Sequence, residues 1–467
     1  MARVTRIAIV GGGPGGYEAA LVAAQLGAEV TVVDRDGLGG SAVLTDCVPS
    51  KTLIATAEVM TDTTESAELG VRLGGSAGDG LGQIGVDLGT VNARVTALAL
   101  AQSTDIGARM QREGVQVIQG VGRLDGPGRV VAEASDGATT ALDVDAVLVS
   151  TGAHPRVLPS SPPDGDRILT WEQLYGLSQL PEHLVVIGSG VTGAEFASAY
   201  TALGSKVTLV SSRDRVLPGE DSDAALVVEE VFGRRGMTVL SKARGESVER
   251  TSDGVLVRLQ DGRTVEGSHC LIAVGSIPNT AGLGLAEAGV RLDGDGFIEV
   301  DRVSRTSAAG VYAAGDCTGV LMLASVAAMQ GRIAVAHLLG EAVTPLNLRS
   351  VASNVFTDPE IATVGWTEND MDDTTVALKL PLATNARAKM QGVHEGFVKL
   401  FARRGSGTVV GGVVVAPRAS ELIFPVALAV DARLTVDQLA HAFTIYPSIS
   451  GSVAEAARQL HTSVKQG

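Results

Sequence analysis

The feature that most restricts this chain is a glycine spacing that occurs twice. Near the N-terminus, Arg6-Ile7-Ala8-Ile9-Val10 is an apolar, β-branched run ending in glycine, and it reads as a short buried strand. Gly11-Gly12-Gly13-Pro14-Gly15-Gly16 follows, then an alanine- and leucine-rich helical stretch from Tyr17 to Leu26 that Gly27 stops. Glu29-Val30-Thr31-Val32-Val33 is a second strand and ends at Asp34. Gly11, Gly13 and Gly16 have the G-x-G-x-x-G spacing, which serves a tight turn, the approach of a pyrophosphate to the backbone, and close helix–strand packing. The helix N-terminus offers N–H groups and a dipole to the phosphates, and Asp34 is placed to accept hydrogen bonds from a ribose.

The pattern recurs. His183-Leu184-Val185-Val186-Ile187 reads as a strand, Gly188-Ser189-Gly190-Val191-Thr192-Gly193 repeats the glycine spacing, Ala194 to Leu203 is helical, and Lys206-Val207-Thr208-Leu209-Val210 is the next strand. Two such units predict an α/β chain with two Rossmann-like domains and two bound dinucleotides, for which FAD and a hydride donor form the natural pair. The second unit ends in Ser211-Ser212-Arg213-Asp214-Arg215, with no acid matching Asp34. Hydroxyls beside arginines tolerate a ribose 2′-phosphate that a carboxylate would repel, so NADPH is expected to be accepted as well as NADH. The competing expectation is a solvated loop whose arginines pair with Asp214, Glu220 or Asp221.

Composition narrows the class. Acids outnumber bases by 52 to 37, a net charge of −15, which argues against a general nucleic-acid binder. Three cysteines, Cys47, Cys270 and Cys317, cannot form a disulfide framework. The first residues carry no apolar leader, and no apolar run approaches the ~18 residues of a membrane span, so the chain is expected to be soluble, cytoplasmic and without stable membrane insertion. Residues 70–90 are expected to be a surface excursion, with a helix from Val91 to Arg112.

Taken with four further stretches, these motifs make the chain similar to the flavoprotein disulfide reductase family, which includes lipoamide dehydrogenase, glutathione reductase and mercuric reductase. Val149-Ser150-Thr151-Gly152-Ala153-His154-Pro155 resembles the strand that leaves the flavin domain, and Ala273–Thr280 the strand that re-enters it. Val311-Tyr312-Ala313-Ala314-Gly315-Asp316 resembles the second flavin motif, in which the aspartate binds the ribityl chain. Val355–Gly365 resembles the start of the dimerisation domain. The resemblance implies FAD-binding segments at 1–152 and 275–345, an NAD(P)H-binding domain at 153–274, a C-terminal α+β dimerisation domain at 346–467, and a homodimer.

The resemblance breaks where the family does its disulfide chemistry. The family's segment has two cysteines five residues apart; here they correspond to Ala42 and Cys47, in Gly39-Gly40-Ser41-Ala42-Val43-Leu44-Thr45-Asp46-Cys47-Val48-Pro49-Ser50-Lys51. The family's C-terminal His-Pro-Thr-x-Ser-Glu, which reaches the partner's dithiol, reads Tyr446-Pro447-Ser448-Ile449-Ser450-Gly451 here. A tyrosine hydroxyl, with an ordinary pKa of ~10, is a poor base at neutral pH. His441 lies five residues upstream on a predicted helix and is expected to be a surface or packing histidine. Lys51 and Glu195, which resemble the family's ion pair beside the flavin and nicotinamide, are retained.

The expected catalytic set is therefore Lys51, Glu195, Cys47 and Tyr446, with no metal assigned. The expected cofactor-binding set is Gly11, Gly13, Gly16, Asp34, Lys51, Gly152 and Asp316 for FAD, and Gly188, Gly190, Gly193, Ser211, Ser212 and Arg213 for NADPH or NADH. Two readings of Cys47 stand: a thiolate tuning the flavin, or an inherited packing residue. The expected activity is NAD(P)H:quinone oxidoreductase, with hydride passing to flavin and then directly to a quinone. The alternatives are a pyridine nucleotide transhydrogenase and a flavin-binding regulatory protein without turnover.

Overall fold

The structure, a computed structural model, describes residues 4–71 and 84–465. Its contacts divide into two compact units, residues 1–52, 92–156 and 275–347 in one, and 53–91, 157–274 and 348–467 in the other.

The first unit is built on five parallel strands in the order Val311–Ala313, Ala146–Val149, Arg6–Val10, Glu29–Asp34, Gln116–Gln119. Strand Ala146–Val149 is buried throughout, as a parallel strand covered on both faces must be. Helix Pro14–Gln25 begins earlier than its alanine-rich pattern implied, because a proline in the first turn lacks only an N–H the helix would not use. It lies against helix Ala324–Leu338 so closely that a Cβ on Gly331 would come within 2.1 Å of the Gly15 carbonyl oxygen. A three-stranded antiparallel sheet, Val121–Leu124, Arg129–Glu133 and Thr139–Asp143, completes the unit.

The second unit holds another five-stranded parallel sheet, in the order Thr238–Leu240, Lys206–Val210, His183–Ile187, His269–Ile272, Ile168–Leu169. Its last part is a five-stranded antiparallel sheet, in the order Ala352–Val355, Glu360–Gly365, Val409–Ala416, Phe397–Arg403, Thr375–Pro381. Helix Gly451–Lys465 lays Val453, Ala456, Ala457 and Leu460 on that sheet's core, the i, i+3, i+4, i+7 spacing of an amphipathic helix. Full burial of a side chain such as Leu460 is worth about 1.5–3 kcal/mol.

The α/β class with two Rossmann-type sheets and a C-terminal α+β part is as the sequence implied. Two further boundaries differ. Helix Val191–Leu203 starts at the residue after Gly190, before Ala194. Helix Leu88–Arg112 starts before Val91, because Asp87 accepts hydrogen bonds from the backbone N–H (3.1 Å) and hydroxyl (2.7 Å) of Thr90. Of the expected surface excursion, residues 72–83 lie outside the described residues. Among the described residues, no helix is long and apolar enough to cross a membrane.

Candidate active site

The two glycine turns superpose in their demands. Gly11 has φ +104° and Gly188 φ +110°, a region closed to most side chains, and a Cβ on either would lie 2.1 Å from a carbonyl oxygen, that of Ser150 or Ala273. A Cβ on Gly16 or Gly193 would lie 1.9 Å from the carbonyl oxygen of Gly11 or Gly188. The middle glycines differ from these. Gly190 has no atom within 4 Å of its Cβ position, and Gly13 meets only the Cα of Gly40 at 4.0 Å. Both are N-cap residues without a side-chain cap, so no side chain takes the first N–H groups of either helix and no Cβ crowds the turn before them. That is the cradle a diphosphate fits, and it is present twice.

Asp34 ends its strand beside the first cradle. Its carboxylate accepts from the backbone N–H of Gly12 (2.6 Å), Asp36 (3.0 Å) and Gly37 (2.5 Å). It therefore shapes the glycine loop. Asp316 follows Gly315, whose φ is +84°, and opens a short 3-10 turn. Burial, and after it the negative charge of Asp46, pushes the Asp316 carboxyl up to about 6. The turn is fixed by a buried residue that sequence reading missed: the Gln330 side-chain oxygen accepts from Gly315 N–H (2.8 Å) while its amide donates to Thr318 Oγ1 (3.3 Å). A polar residue on the apolar face of helix Ala324–Leu338 was the available signal.

The expected exit and return strands are paired. Ala153–Pro155 runs antiparallel to Ser276–Pro278, with Pro155 opposite Ser276. Thr151 Oγ1 donates to the Asn279 carbonyl (2.6 Å), the Asn279 side chain donates to the Thr151 carbonyl (2.9 Å), and Asn279 N–H donates to the Gly152 carbonyl (3.0 Å). Gly152 thus sits in a seam tied by Asn279, another residue the motif reading did not single out.

Ala42 lies in the short helix Gly40–Leu44, and Cys47 opens helix Cys47–Glu65, which carries Lys51 one turn on, on the same face. None of the three cysteines forms a disulfide. Burial raises the Cys270 thiol far above its ordinary value, and Cys317 is pushed up to about 11, chiefly by burial. Neither is placed as a nucleophile. Glu195 is buried on helix Val191–Leu203 and accepts a hydrogen bond from Phe356 N–H (2.8 Å). In the C-terminal part, Tyr446 is 87% exposed, with Phe443 and Ile445 beside it also exposed. His441 ends helix Val436–His441, exposed, with its Nδ1 2.6 Å from the Asp437 carbonyl oxygen.

The two serines of the nucleotide loop differ in their surroundings. Ser211 is wholly buried, and its hydroxyl bonds the Ser189 hydroxyl at 2.7 Å and accepts from Arg213 N–H at 3.2 Å. Its hydroxyl is thus engaged with the glycine turn, whereas the hydroxyl of Ser212, also expected to bind the cofactor, is on an exposed residue. Ser212 and Arg213 are exposed, and the backbone N–H of Lys242, a residue that sequence reading did not single out, donates to the Arg213 carbonyl (2.7 Å). Its position, 29 residues beyond Arg213, carried no motif. Two of the acids expected to compete for the arginines are engaged elsewhere: Asp221 with Lys399 at 2.7 Å, and Glu220 with Thr363 at 3.4 Å.

Comparison with known proteins agrees with this geometry. Residues 5–331 match the family described as pyridine nucleotide-disulphide oxidoreductase, and residues 351–457 match its dimerisation domain, which supports a homodimer. A Mycobacterium tuberculosis protein named NAD(P)H dehydrogenase (quinone) is 57% identical, over 98% of this chain and 94% of that one. A dihydrolipoyl dehydrogenase from Chlorobaculum parvum is 33% identical, over 97% of this chain and 96% of its own. The crystal structure of LpdA from Mycobacterium tuberculosis is similar with a TM-score of 0.92 at 56% identity, covering 98% of this chain and 100% of that one. A flavoprotein disulfide reductase from Escherichia coli, RclA, shares the fold with a TM-score of 0.85 at 24% identity, covering 97% of this chain and 99% of that one. The chain therefore belongs to the pyridine nucleotide-disulphide oxidoreductase family, flavoprotein oxidoreductases that use FAD and NAD(P)H.

Proposed function

We propose that this chain is an FAD-dependent NAD(P)H:quinone oxidoreductase that works without a dithiol relay. The carrying observation is the paired loss at the disulfide site: Ala42 stands for one cysteine and Tyr446 for the distal histidine, while Lys51 and Glu195 are retained. A relative 57% identical over almost the whole chain bears the name NAD(P)H dehydrogenase (quinone), which supports the same reading.

Bound FAD supplies the two-electron carrier between NAD(P)H and acceptor. The residues present would do the rest. Gly11, Gly13 and Gly16 admit one diphosphate, and Gly188, Gly190 and Gly193 the other. Asp34, Gly152 and Asp316 would hold the flavin's ribose and ribityl portions, and Lys51 and Glu195 would each keep the hydride-transfer role that the resemblance gives them. Ser212 and Arg213, with Lys242 nearby, bind the ribose end of the nucleotide, with NADPH accepted beside NADH. Ser211 positions that loop. Tyr446 of the partner subunit would wall the acceptor site and donate a hydrogen bond to a quinone oxygen. Cys47 keeps its place on the Lys51 face of its helix and no longer exchanges disulfides. The domain assignment, 1–152 and 275–345 for flavin, 153–274 for NAD(P)H and 346–467 for dimerisation, belongs to the same proposal. So does a cytoplasmic seat, which suits three cysteines outside any disulfide.

The test is anaerobic stopped-flow absorbance. Mixing the yellow holoprotein with NADPH or NADH should bleach the flavin band; a benzoquinone or naphthoquinone should restore it and lipoamide should not. Recovery with lipoamide alone, or no bleaching with either nucleotide, refutes the proposal.

A further inference from the structure

Between the nucleotide loop and the C-terminal sheet lies a charge cluster that the chemistry above does not use. Lys399, on strand Phe397–Arg403, has a side chain only 7% exposed and places Nζ 2.7 Å from Asp221 Oδ2 and 2.6 Å from Asp223 Oδ2. Glu368 lies 3.7 Å from the same nitrogen. Lys379, directly across the strand pair from Lys399, takes the other oxygen of Asp223 at 2.7 Å. Carboxylates outnumber ammonium groups here by three to two. Their hydrogen bonds hold Lys399 charged despite its burial, so its pKa is raised.

Asp221 is the hinge of this arrangement. Its second oxygen caps helix Ser222–Arg234, accepting from the N–H groups of Asp223 (3.1 Å) and Ala224 (3.2 Å). The chain just before it is the segment that carries Ser212 and Arg213. That segment is pinned at its near side to the glycine turn, by the Ser211–Ser189 hydroxyl pair and by Leu217 N–H on the Ser189 carbonyl at 2.8 Å. Leu217 itself has φ +50°, a conformation leucine rarely adopts. Arg215 braces the loop by donating to the carbonyls of Pro218 (3.3 Å) and Glu220 (3.2 Å). At its far side the segment is tied to the C-terminal sheet by Asp221, which Lys399 holds at 2.7 Å, with a longer contact from Thr363 Oγ1 to Glu220 at 3.4 Å and the Ser222 N–H donated to Glu368 at 3.0 Å beside it.

We infer that Lys399 is a positioning residue for nucleotide selection: by fixing Asp221 it fixes the 211–221 loop, so the C-terminal sheet sets how well the loop holds a ribose 2′-phosphate. The inference rests on the reading that Ser212 and Arg213 face that phosphate.

The experiment measures binding of 2′,5′-ADP and of 5′-AMP to the FAD-loaded protein by calorimetry, for wild type, Lys399→Met, Lys399→Arg, Asp221→Asn and Arg213→Ala. Asp221→Asn keeps the helix-capping oxygen and replaces the oxygen that Lys399 holds with an amide donor, so it breaks the pair from the other side and covers the case in which Lys399→Met does not fold. Expected is a loss of about tenfold in affinity for 2′,5′-ADP in Lys399→Met and Asp221→Asn, the scale of one displaced charge-assisted contact. Affinity for 5′-AMP, FAD content and NADH-driven turnover should stay within about twofold, and Lys399→Arg should restore most of the loss. Equal weakening of both ligands overturns the inference. So does no change in either charge variant while Arg213→Ala loses 2′,5′-ADP selectively. If Arg213→Ala shows no selective loss, the loop does not read the 2′-phosphate, and the NADPH reading fails first.

Discussion

Asp316 offers the most exacting test, because its two roles pull in opposite directions. Burial and the nearby Asp46 raise its carboxyl from 3.8 to about 6. A shift of about two units is ~3 kcal/mol of disfavour for the ionised form, an upper bound for a half-buried group. The folded-state pKa is raised, so its contribution to stability is fully present below the unfolded value near 3.8 and is lost as pH rises through about 6. At pH 7.5 flavin-free Asp316→Asn should accordingly unfold at higher urea concentration, a gain of up to ~3 kcal/mol, shrinking as the pH falls through 6. FAD binding should move the other way. The ionised carboxylate would accept ribityl hydroxyls, and a hydrogen bond to a charged group is worth about 1.5–3 kcal/mol, so the variant should bind FAD about 10- to 100-fold more weakly. In the wild type, FAD affinity should fall about fourfold between pH 7.5 and 5.5, as the free protein takes up a proton that the complex excludes. Circular dichroism in urea and quenching of FAD fluorescence read the two effects separately. A variant that is less stable at pH 7.5, or that binds FAD as tightly as wild type, would refute the reasoning.

Three further outcomes are expected. Gly193→Ala places a methyl group 1.9 Å from the Gly188 carbonyl oxygen, so the second cradle must shift; the purified protein should stay yellow while its reduction by NADPH and NADH slows at least tenfold in stopped flow. Tyr446→Phe should leave flavin bleaching by NADPH unchanged and lower kcat/KM for a benzoquinone several-fold, about one hydrogen bond's worth, and unchanged kcat and KM count against a role for the hydroxyl. With both buried thiols held protonated, native protein treated with iodoacetamide should be modified at neither Cys270 nor Cys317, as read by peptide mass spectrometry; rapid labelling of either would contradict their burial.

What could be read in advance was local. The strands Arg6–Val10 and His183–Ile187 announce themselves as short β-branched runs closed by glycine, and the glycine spacing fixes the turn because backbone contact leaves no room for a Cβ. What could not be read was which hydroxyl turns inward. Ser211 and Ser212 are chemically alike and adjacent, yet the first is buried against Ser189 and the second is exposed; only the path of the loop decides. Gln330 and Asn279 were illegible for a related reason, since each satisfies backbone groups brought near it by sheet assembly rather than by spacing in the chain. Lys399 and Asp221 lie 178 residues apart, and no periodicity links two charges at that separation.

The pairing of Ala153–Pro155 with Ser276–Pro278 also sets how the chain tolerates interruption. Where the first unit's chain departs at Arg156 and returns at Gly275, the two cut ends are already neighbours, the Arg156 N–H bonded to the Gly275 carbonyl at 2.9 Å. An excursion that starts and finishes at one doorway adds little closure cost whatever its length, because that cost grows only with the logarithm of the loop. The first unit is thus indifferent to how much protein hangs from that point, and another fold can be carried there, or exchanged, without redrawing the first unit's own sheet.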